Sequence, residues 1–244
     1  MKQVAIITGA SRGIGAAIAQ RLAKDGFAVV VNYAGNVAEA DKVVTAIHAD
    51  GGQAIAIQAD VASSADVRRL FDQTVAQLGR VDVLVNNAGI MPPQLPHLAA
   101  TDDETFDRLV AVNLKGSFNT MREAAGKLEQ GGRIINFSSS LVGTLLPGYS
   151  AYVATKAGIE AMTTILAKEL RGKNITVNAV APGPTATALF LDGKTPELIE
   201  RLAKMPPLER LGLPEDIANA VAFLAGADGG WINGQTLRAN GGMV

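Results

Sequence analysis

Tyr152 and Lys156 stand four residues apart in the stretch Tyr-Val-Ala-Thr-Lys. On a helix that spacing places both side chains on one face, a turn apart. A free phenol titrates near pH ~10 and is a poor acid or base at neutrality, but a neighbouring ammonium favours its ionised form. A tyrosine tuned in this way can pass a proton to or from a substrate oxygen. The same pair also occurs on ordinary helix surfaces, so its meaning depends on what the rest of the chain sets beside it.

A second chemical signal lies near the start. Gly9-Ala10-Ser11-Arg12-Gly13-Ile14-Gly15 follows the apolar run Val4 to Thr8, and Ile14, Ile18 and Leu22 then repeat at helical spacing. Strand, glycine-rich turn and helix start together form a phosphate cradle: glycine lets the backbone approach the anion, and the free N–H groups of the first helical turn bind it. The spacing is G-x-x-x-G-x-G, and a tight turn with no ligand is the plainer alternative. A third signal is Ser138-Ser139-Ser140, three hydroxyls closing the apolar run Arg133 to Phe137. In open α/β sheets, ligands bind at the carboxyl ends of strands. Asn113 is a further mild flag, because asparagine inside a helical pattern competes for backbone hydrogen bonds.

The elements needed to position these groups can be read in order. Further strands are expected at 27–32, 54–59, 81–85 and 175–180, with a last one in 234–238. Asn36 can cap a helix carrying Val37, Ala40, Val43, Val44 and Ile47 at apolar positions. Ser63-Ser64-Ala65-Asp66 resembles a capping box before Val67, Leu70, Phe71, Val75 and Leu78. A long helical pattern spans 103–129 and contains Asn113. Pro214 opens another helix. The proline-rich stretch 91–101 is expected to be a loop, and its His97 has no evident role. His48 is expected to be surface or core filler. Strands alternating with helices of about a dozen residues predict an α/β, doubly wound parallel sheet of Rossmann type, with helices on both faces. We expect residues 1–244 to be one domain, with a less regular helical segment at 187–205 acting as a small lid.

Composition limits the remaining classes. Nearly half of the 244 residues are hydrophobic and the net charge is -1, which gives no electrostatic bias toward nucleic acid or an anionic membrane. There is no cysteine, so disulfides, thiolate metal sites and a cysteine nucleophile are excluded; no metal is expected. No apolar run approaches the roughly 20 residues of a membrane span. The first apolar run is too short for a signal peptide, and the expectation is a cytoplasmic protein.

Taken in order, Thr8 to Gly15, Asn86-Asn87-Ala88-Gly89, Asn113, the serine after the fifth strand, Tyr152-x-x-x-Lys156 and Pro182-Gly183 resemble the short-chain dehydrogenase/reductase family. The likeness runs over essentially the whole chain and is to the single-domain branch that includes 3-oxoacyl-thioester reductases. It implies a reversible hydride transfer between a nicotinamide cofactor and a carbonyl or alcohol. Tyr152 would be the general acid or base. Lys156 would hold the nicotinamide ribose and lower the tyrosine pKa. Ser139 would bond the substrate oxygen, and Asn113 would hold a water that relays protons. Gly9, Ser11, Arg12, Gly13, Ile14, Gly15, Asn86, Ala88, Gly89, Pro182, Gly183, Thr185 and Thr187 would surround the cofactor, with Asp60 and Val61 beside the adenine. Two serines compete: Ser139 lies thirteen residues before Tyr152, as the family spacing requires, whereas the Ser-x-x-Gly pattern with Gly143 selects Ser140. Strand position and spacing favour Ser139.

NADP(H) is expected over NAD(H). The second strand ends Asn32-Tyr33-Ala34-Gly35-Asn36, without the carboxylate that binds the ribose hydroxyls of NAD and repels a 2′-phosphate. Asn32, Tyr33 and Asn36 can donate to phosphate oxygens, and the guanidinium of Arg12 can pair with them. The resulting expectation is an NADPH-dependent carbonyl reductase acting on a small molecule. The alternatives are an NAD-dependent alcohol or sugar dehydrogenase and a non-catalytic cofactor-binding regulator. Family likeness also implies a homotetramer that uses the helices carrying Asn113 and Tyr152.

Overall fold

The computed structural model of the protein describes residues 2–92 and 94–244. Pro93, in the loop expected at 91–101, and Met1 lie outside the described residues. The strands are β1 (Val4–Ile7), β2 (Ala28–Tyr33), β3 (Gln53–Gln58), β4 (Val83–Asn86), β5 (Arg133–Phe137), β6 (Thr176–Pro182) and β7 (Thr236–Ala239). They form one sheet in the order β3-β2-β1-β4-β5-β6-β7, with every neighbouring pair parallel. The helices are α1 (Gly13–Lys24), α2 (Val37–Ala49), α3 (Ser64–Leu78), α4 (Asp103–Leu109), α5 (Gly116–Lys127), α6 (Leu141–Thr144), α7 (Ser150–Glu169), α8 (Ala188–Leu191), α9 (Pro196–Ala203) and α10 (Pro214–Ala225).

The central strands bury both faces, which is why they read as continuous apolar runs. In β1, Ala5 and Ile7 point into a core with Ile18 and Leu22 of α1, Val43 and Ile47 of α2 and Val221 of α10. Val4 and Ile6 point the other way, against Leu70 and Phe71 of α3 and Met121 of α5. This alternation is the doubly wound arrangement expected from the sequence. The chain reverses its winding direction between β1 and β4, so the crevice for a ligand opens at the carboxyl ends of those strands.

Two helix starts follow their sequence signals. Asn36 Oδ1 accepts from the Glu39 N–H, and Ser63 Oγ accepts from the Asp66 N–H. The second is not a closed box, because the Asp66 carboxylate accepts instead from the Asp60 N–H. The long pattern at 103–129 is helical from Asp103 to Lys127, but it is not one regular helix. Residues Val110–Lys115 form a widened π turn between α4 and α5, with Asn113 inside it. Such turns occur frequently at functional sites. No helix among the described residues is long and apolar enough to cross a membrane.

Candidate active site

The glycine turn after β1 leaves a helix start open to an anion. Ala16 makes the first backbone bond of α1, to Arg12. The N–H groups of Gly13, Ile14 and Gly15 before it therefore belong to the unpaired first turn of the helix. Arg12 occupies the N-cap without a side-chain cap bond, and among the described residues its exposed guanidinium is unengaged. Two glycines are required by close approach. A Cβ on Gly15 would lie 2.4 Å from the Gly9 carbonyl oxygen, and one on Gly9, at φ 62, would lie 2.9 Å from Ala88 Cα. The turn is thus pressed against the β4 end. Asn87 pins it there, donating to the carbonyls of Thr8 (2.9 Å) and Gly9 (3.0 Å), while Thr8 Oγ1 accepts from the Ala88 N–H at 3.0 Å.

Tyr152 and Lys156 lie one turn apart on α7, as their spacing predicts. Lys156 is 4% exposed, and its Nζ donates to the Phe137 carbonyl at 2.9 Å, which ties α7 to the end of β5. The same ammonium lies 5.7 Å from the centre of the Tyr152 ring. Ser139 Oγ accepts from the Leu141 N–H at 3.2 Å, and its hydroxyl stands close enough to the Tyr152 phenol to favour the ionised form. Ser140 turns the other way, donating to the Ala181 carbonyl and accepting from Asn240 at 2.9 Å. Across the cleft, the Asn113 amide makes two bonds to the backbone of Ile90: Oδ1 accepts from its N–H at 2.8 Å and Nδ2 donates to its carbonyl at 2.9 Å. Gly89 lies between the two sides. A Cβ there would be 3.3 Å from Asn113 Oδ1 and 3.6 Å from Lys156 Nζ.

The electrostatics differ from the expectation that Lys156 lowers the tyrosine pKa. Burial pushes the Tyr152 phenol up to about 12, the nearby Tyr149 adds to this, and the Ser139 hydroxyl opposes it. Burial pushes the Lys156 ammonium down to about 8. Desolvation disfavours the charged form of each group. In the protein as folded, Tyr152 is therefore held as a neutral proton donor.

Several residues named from sequence have their side chains engaged elsewhere. Asn32 is 1% exposed and does not present its amide to a phosphate. Its Nδ2 donates to the carbonyls of Ile57 and Ala59, and its Oδ1 accepts from the Gly9 N–H, so it braces the glycine turn against β3. Tyr33 packs into the core beside α1 and α2. The Asn86 amide points into a buried polar network with Asn136 (2.8 Å) and Thr120 (2.5 Å), not into the cleft. Asp60 is exposed, and Val61 is buried against Gly116. Thr185 forms an isolated bridge with Gly212, and Thr187 Cγ2 lies 3.5 Å from a Cβ built on Gly13, so the segment after β6 reaches the glycine turn. Gly183 lies under the Asn240 backbone, at 2.9 Å from its own built Cβ. Asn87 and Asn240 were missed. Asn87 carries a sequence signal, the doubled asparagine at a strand end, whereas Asn240 gives none because its contacts join segments a hundred residues apart.

Residues 9–244 match the family model described as Enoyl-(Acyl carrier protein) reductase. A short-chain type dehydrogenase/reductase of Picea abies is 49% identical over 99% of this chain and 92% of its own length. An NADPH-dependent aldehyde reductase-like protein, chloroplastic, of Arabidopsis thaliana is 46% identical over 99% of this chain and 94% of its own. Among solved structures, a short chain dehydrogenase from Burkholderia cenocepacia J2315 in complex with NADP superposes with a TM-score of 0.92 at 38% identity, over 99% of this chain and 97% of that one. The chain belongs to the short-chain dehydrogenase/reductase family and is an oxidoreductase of that class.

Proposed function

We propose that the protein is an NADPH-dependent carbonyl reductase with Tyr152 as its proton donor. The observation that carries this is the Tyr152 phenol, held neutral close to Ser139 and one turn from Lys156 on α7. A reductase must deliver a proton to the oxygen of the carbonyl it reduces, and a phenol held protonated can do so. Ser139 would orient that oxygen. The Lys156 ammonium would fix a ribose and repolarise the tyrosine, with Asn113 completing a proton path to solvent. The cofactor fits the residues present. Gly9 and Gly15 keep the turn tight against Ala88, the first-turn N–H groups of Gly13, Ile14 and Gly15 are open to a phosphate, and Thr187 reaches Gly13; Ser11, Ala88, Gly89, Pro182, Gly183 and Thr185 would complete the cofactor crevice, with Asp60 and Val61 beside the adenine. When bound, the reduced nicotinamide supplies the hydride.

The end of β2 has no carboxylate, and the unengaged Arg12 guanidinium stands at the cradle, which supports NADPH over NADH. That the Burkholderia relative is in complex with NADP, and that the Arabidopsis one is called NADPH-dependent, supports the same reading. NAD(H) use, as an alcohol or sugar dehydrogenase, is the alternative. We read residues 1–244 as one domain whose segment 187–205 is a lid. We also read the assembly as a homotetramer, supported by Phe106, Phe118 and Ile165, each about half exposed on the helices that flank the site, and the location as the cytoplasm. The test is NADPH oxidation with a panel of aldehydes, ketones, 3-oxoacyl thioesters and enoyl thioesters, the last because of the family model's description. Reduction of carbonyls alone is expected. Turnover of only the enoyl thioesters, or of none, refutes the reading.

A further inference from the structure

A cavity of about 360 Å³ opens between the segment that follows β4 and the segment that follows β5. Its walls include His97, Leu98, Leu145, Leu146, Tyr149 and Val153. Both walls continue directly from the site. One leaves Gly89 and Ile90, which Asn113 holds, and the other leaves Ser139 and Ser140 and returns to the first turn of α7. Gly148 joins them, since a Cβ there would meet the Leu95 carbonyl at 2.8 Å. Tyr149 is close enough to Tyr152 to raise its pKa. The volume is that of a small-molecule site.

We propose that this cavity takes the apolar body of the carbonyl substrate, an alkyl or aryl group, and that Leu98 and Leu145 set its length. The inference rests on the carbonyl-reductase reading and deepens it. Leu98 and Leu145 are 74% and 70% exposed, so two large apolar side chains face water from opposite walls of one opening. Leu145 is also held at φ 49, in the left-handed region that β-carbon sterics disfavour. A strained backbone that presents an exposed leucine at a cavity mouth is a feature to be explained by what the leucine covers. No lysine, arginine, aspartate or glutamate lines the cavity among the described residues. It offers a phosphorylated or carboxylated substrate no counter-ion, and a polyol only Ser150, Tyr149 and His97 as partners. An apolar chain fits this lining, because its burial together with both leucines removes apolar surface from water. His97, without a role on sequence grounds, becomes part of the rim.

The experiment measures kcat/KM with NADPH for unbranched aldehydes from propanal to nonanal, with glyceraldehyde as the hydroxylated comparison. Each added methylene that reaches the cavity should raise kcat/KM about fourfold until the cavity is full. In Leu145→Gly, which relieves the positive φ, the ratio of octanal to propanal should fall by about tenfold, the worth of nearly two methylene contacts; Leu98→Ser should act in the same direction. A flat series, a preference for glyceraldehyde, or an unchanged ratio in both variants overturns the inference while leaving carbonyl reduction standing. Calorimetric binding of octanamide, which is not reduced, keeps the question open to measurement without turnover. Weaker binding in Leu145→Gly supports the cavity assignment even if the carbonyl reading fails, and equal binding overturns it.

Discussion

Replacing Lys156 by methionine removes an ammonium that the fold holds at a cost, and the cost depends on pH. Burial lowers the Lys156 pKa from 10.5 to about 8. Between those values the unfolded chain binds a proton that the folded chain does not, so raising the pH stabilises the folded state. The penalty is fully present below pH 8 and fades as the pH climbs toward 10.5. Because the side chain is 4% exposed, solvent screening removes little of it. At 1.36 kcal/mol per pH unit the whole displacement is worth about 3 kcal/mol. About 2 kcal/mol of that should be recovered between pH 7 and 9.5. Lys156→Met also leaves the Phe137 carbonyl without its donor, but that loss is a constant offset of about 1–3 kcal/mol at every pH. Urea unfolding of both proteins at pH 7 and at pH 9.5 separates the two effects. The wild type should gain about 2 kcal/mol on the variant over that interval. Tyr152, raised toward 12, stays protonated throughout the interval and is common to both proteins. A stability difference that stays constant with pH would show that the ammonium is not desolvated and would refute the reasoning.

Tyr152→Phe should lower kcat by about 10² to 10⁴ while the Kd for NADPH changes little, read by steady-state kinetics and fluorescence titration; near-normal kcat would remove Tyr152 from the proton path. The wild type should favour NADPH over NADH in kcat/KM, and Arg12→Ala should reduce that preference by one to two decades, the worth of roughly 1.5–3 kcal/mol for a charge-assisted pair. If the preference survives intact, the 2′-phosphate is read by groups other than Arg12. Gly15→Ala should lower both the melting temperature and NADPH affinity, although alanine is the better helix former by about 1 kcal/mol, because its methyl would lie 2.4 Å from the Gly9 oxygen. Hydrogen exchange in 187–205 should slow when NADPH and substrate are both present. Neither α8 nor α9 buries a residue; Thr187 lies near Gly13 at the segment's start, and Pro206, just past its end, packs against Gly241.

The strands and the glycine turn were legible because their signals are local. Buried parallel strands show as apolar runs, and the doubly wound sheet follows from their alternation with helices. Tyr152 and Lys156 were legible for the same reason, since one helix carries both. What the sequence hid depends on contacts distant along the chain. Asn32 reads as an exposed donor at a strand end, yet the β3 carbonyls and the Gly9 amide enclose it. Ser139 and Ser140 are neighbours with identical chemistry, and the Ala181 carbonyl and Asn240, forty-one and a hundred residues on, turn the second away. The π turn around Asn113 has no local signature beyond an asparagine in an unfavourable place. The paired bonds that hold the Asn113 amide go to Ile90, twenty-three residues earlier in the chain.

The Tyr152 pKa shows how a correct pairing can still mislead about sign. Spacing alone puts an ammonium near the phenol and suggests a lowered pKa. The same fold that brings the two together also takes both out of water, Lys156 almost wholly and Tyr152 in part, and desolvation is the largest influence on each. A lysine displaced to about 8 is still largely protonated at neutral pH, but it holds that proton weakly. Any bound group that offers Lys156 oxygen acceptors would strengthen its hold and restore its pull on the tyrosine. In the folded protein alone the pair therefore rests with the phenol protonated, and a polar ligand in the crevice is what would bring Lys156 to bear on it.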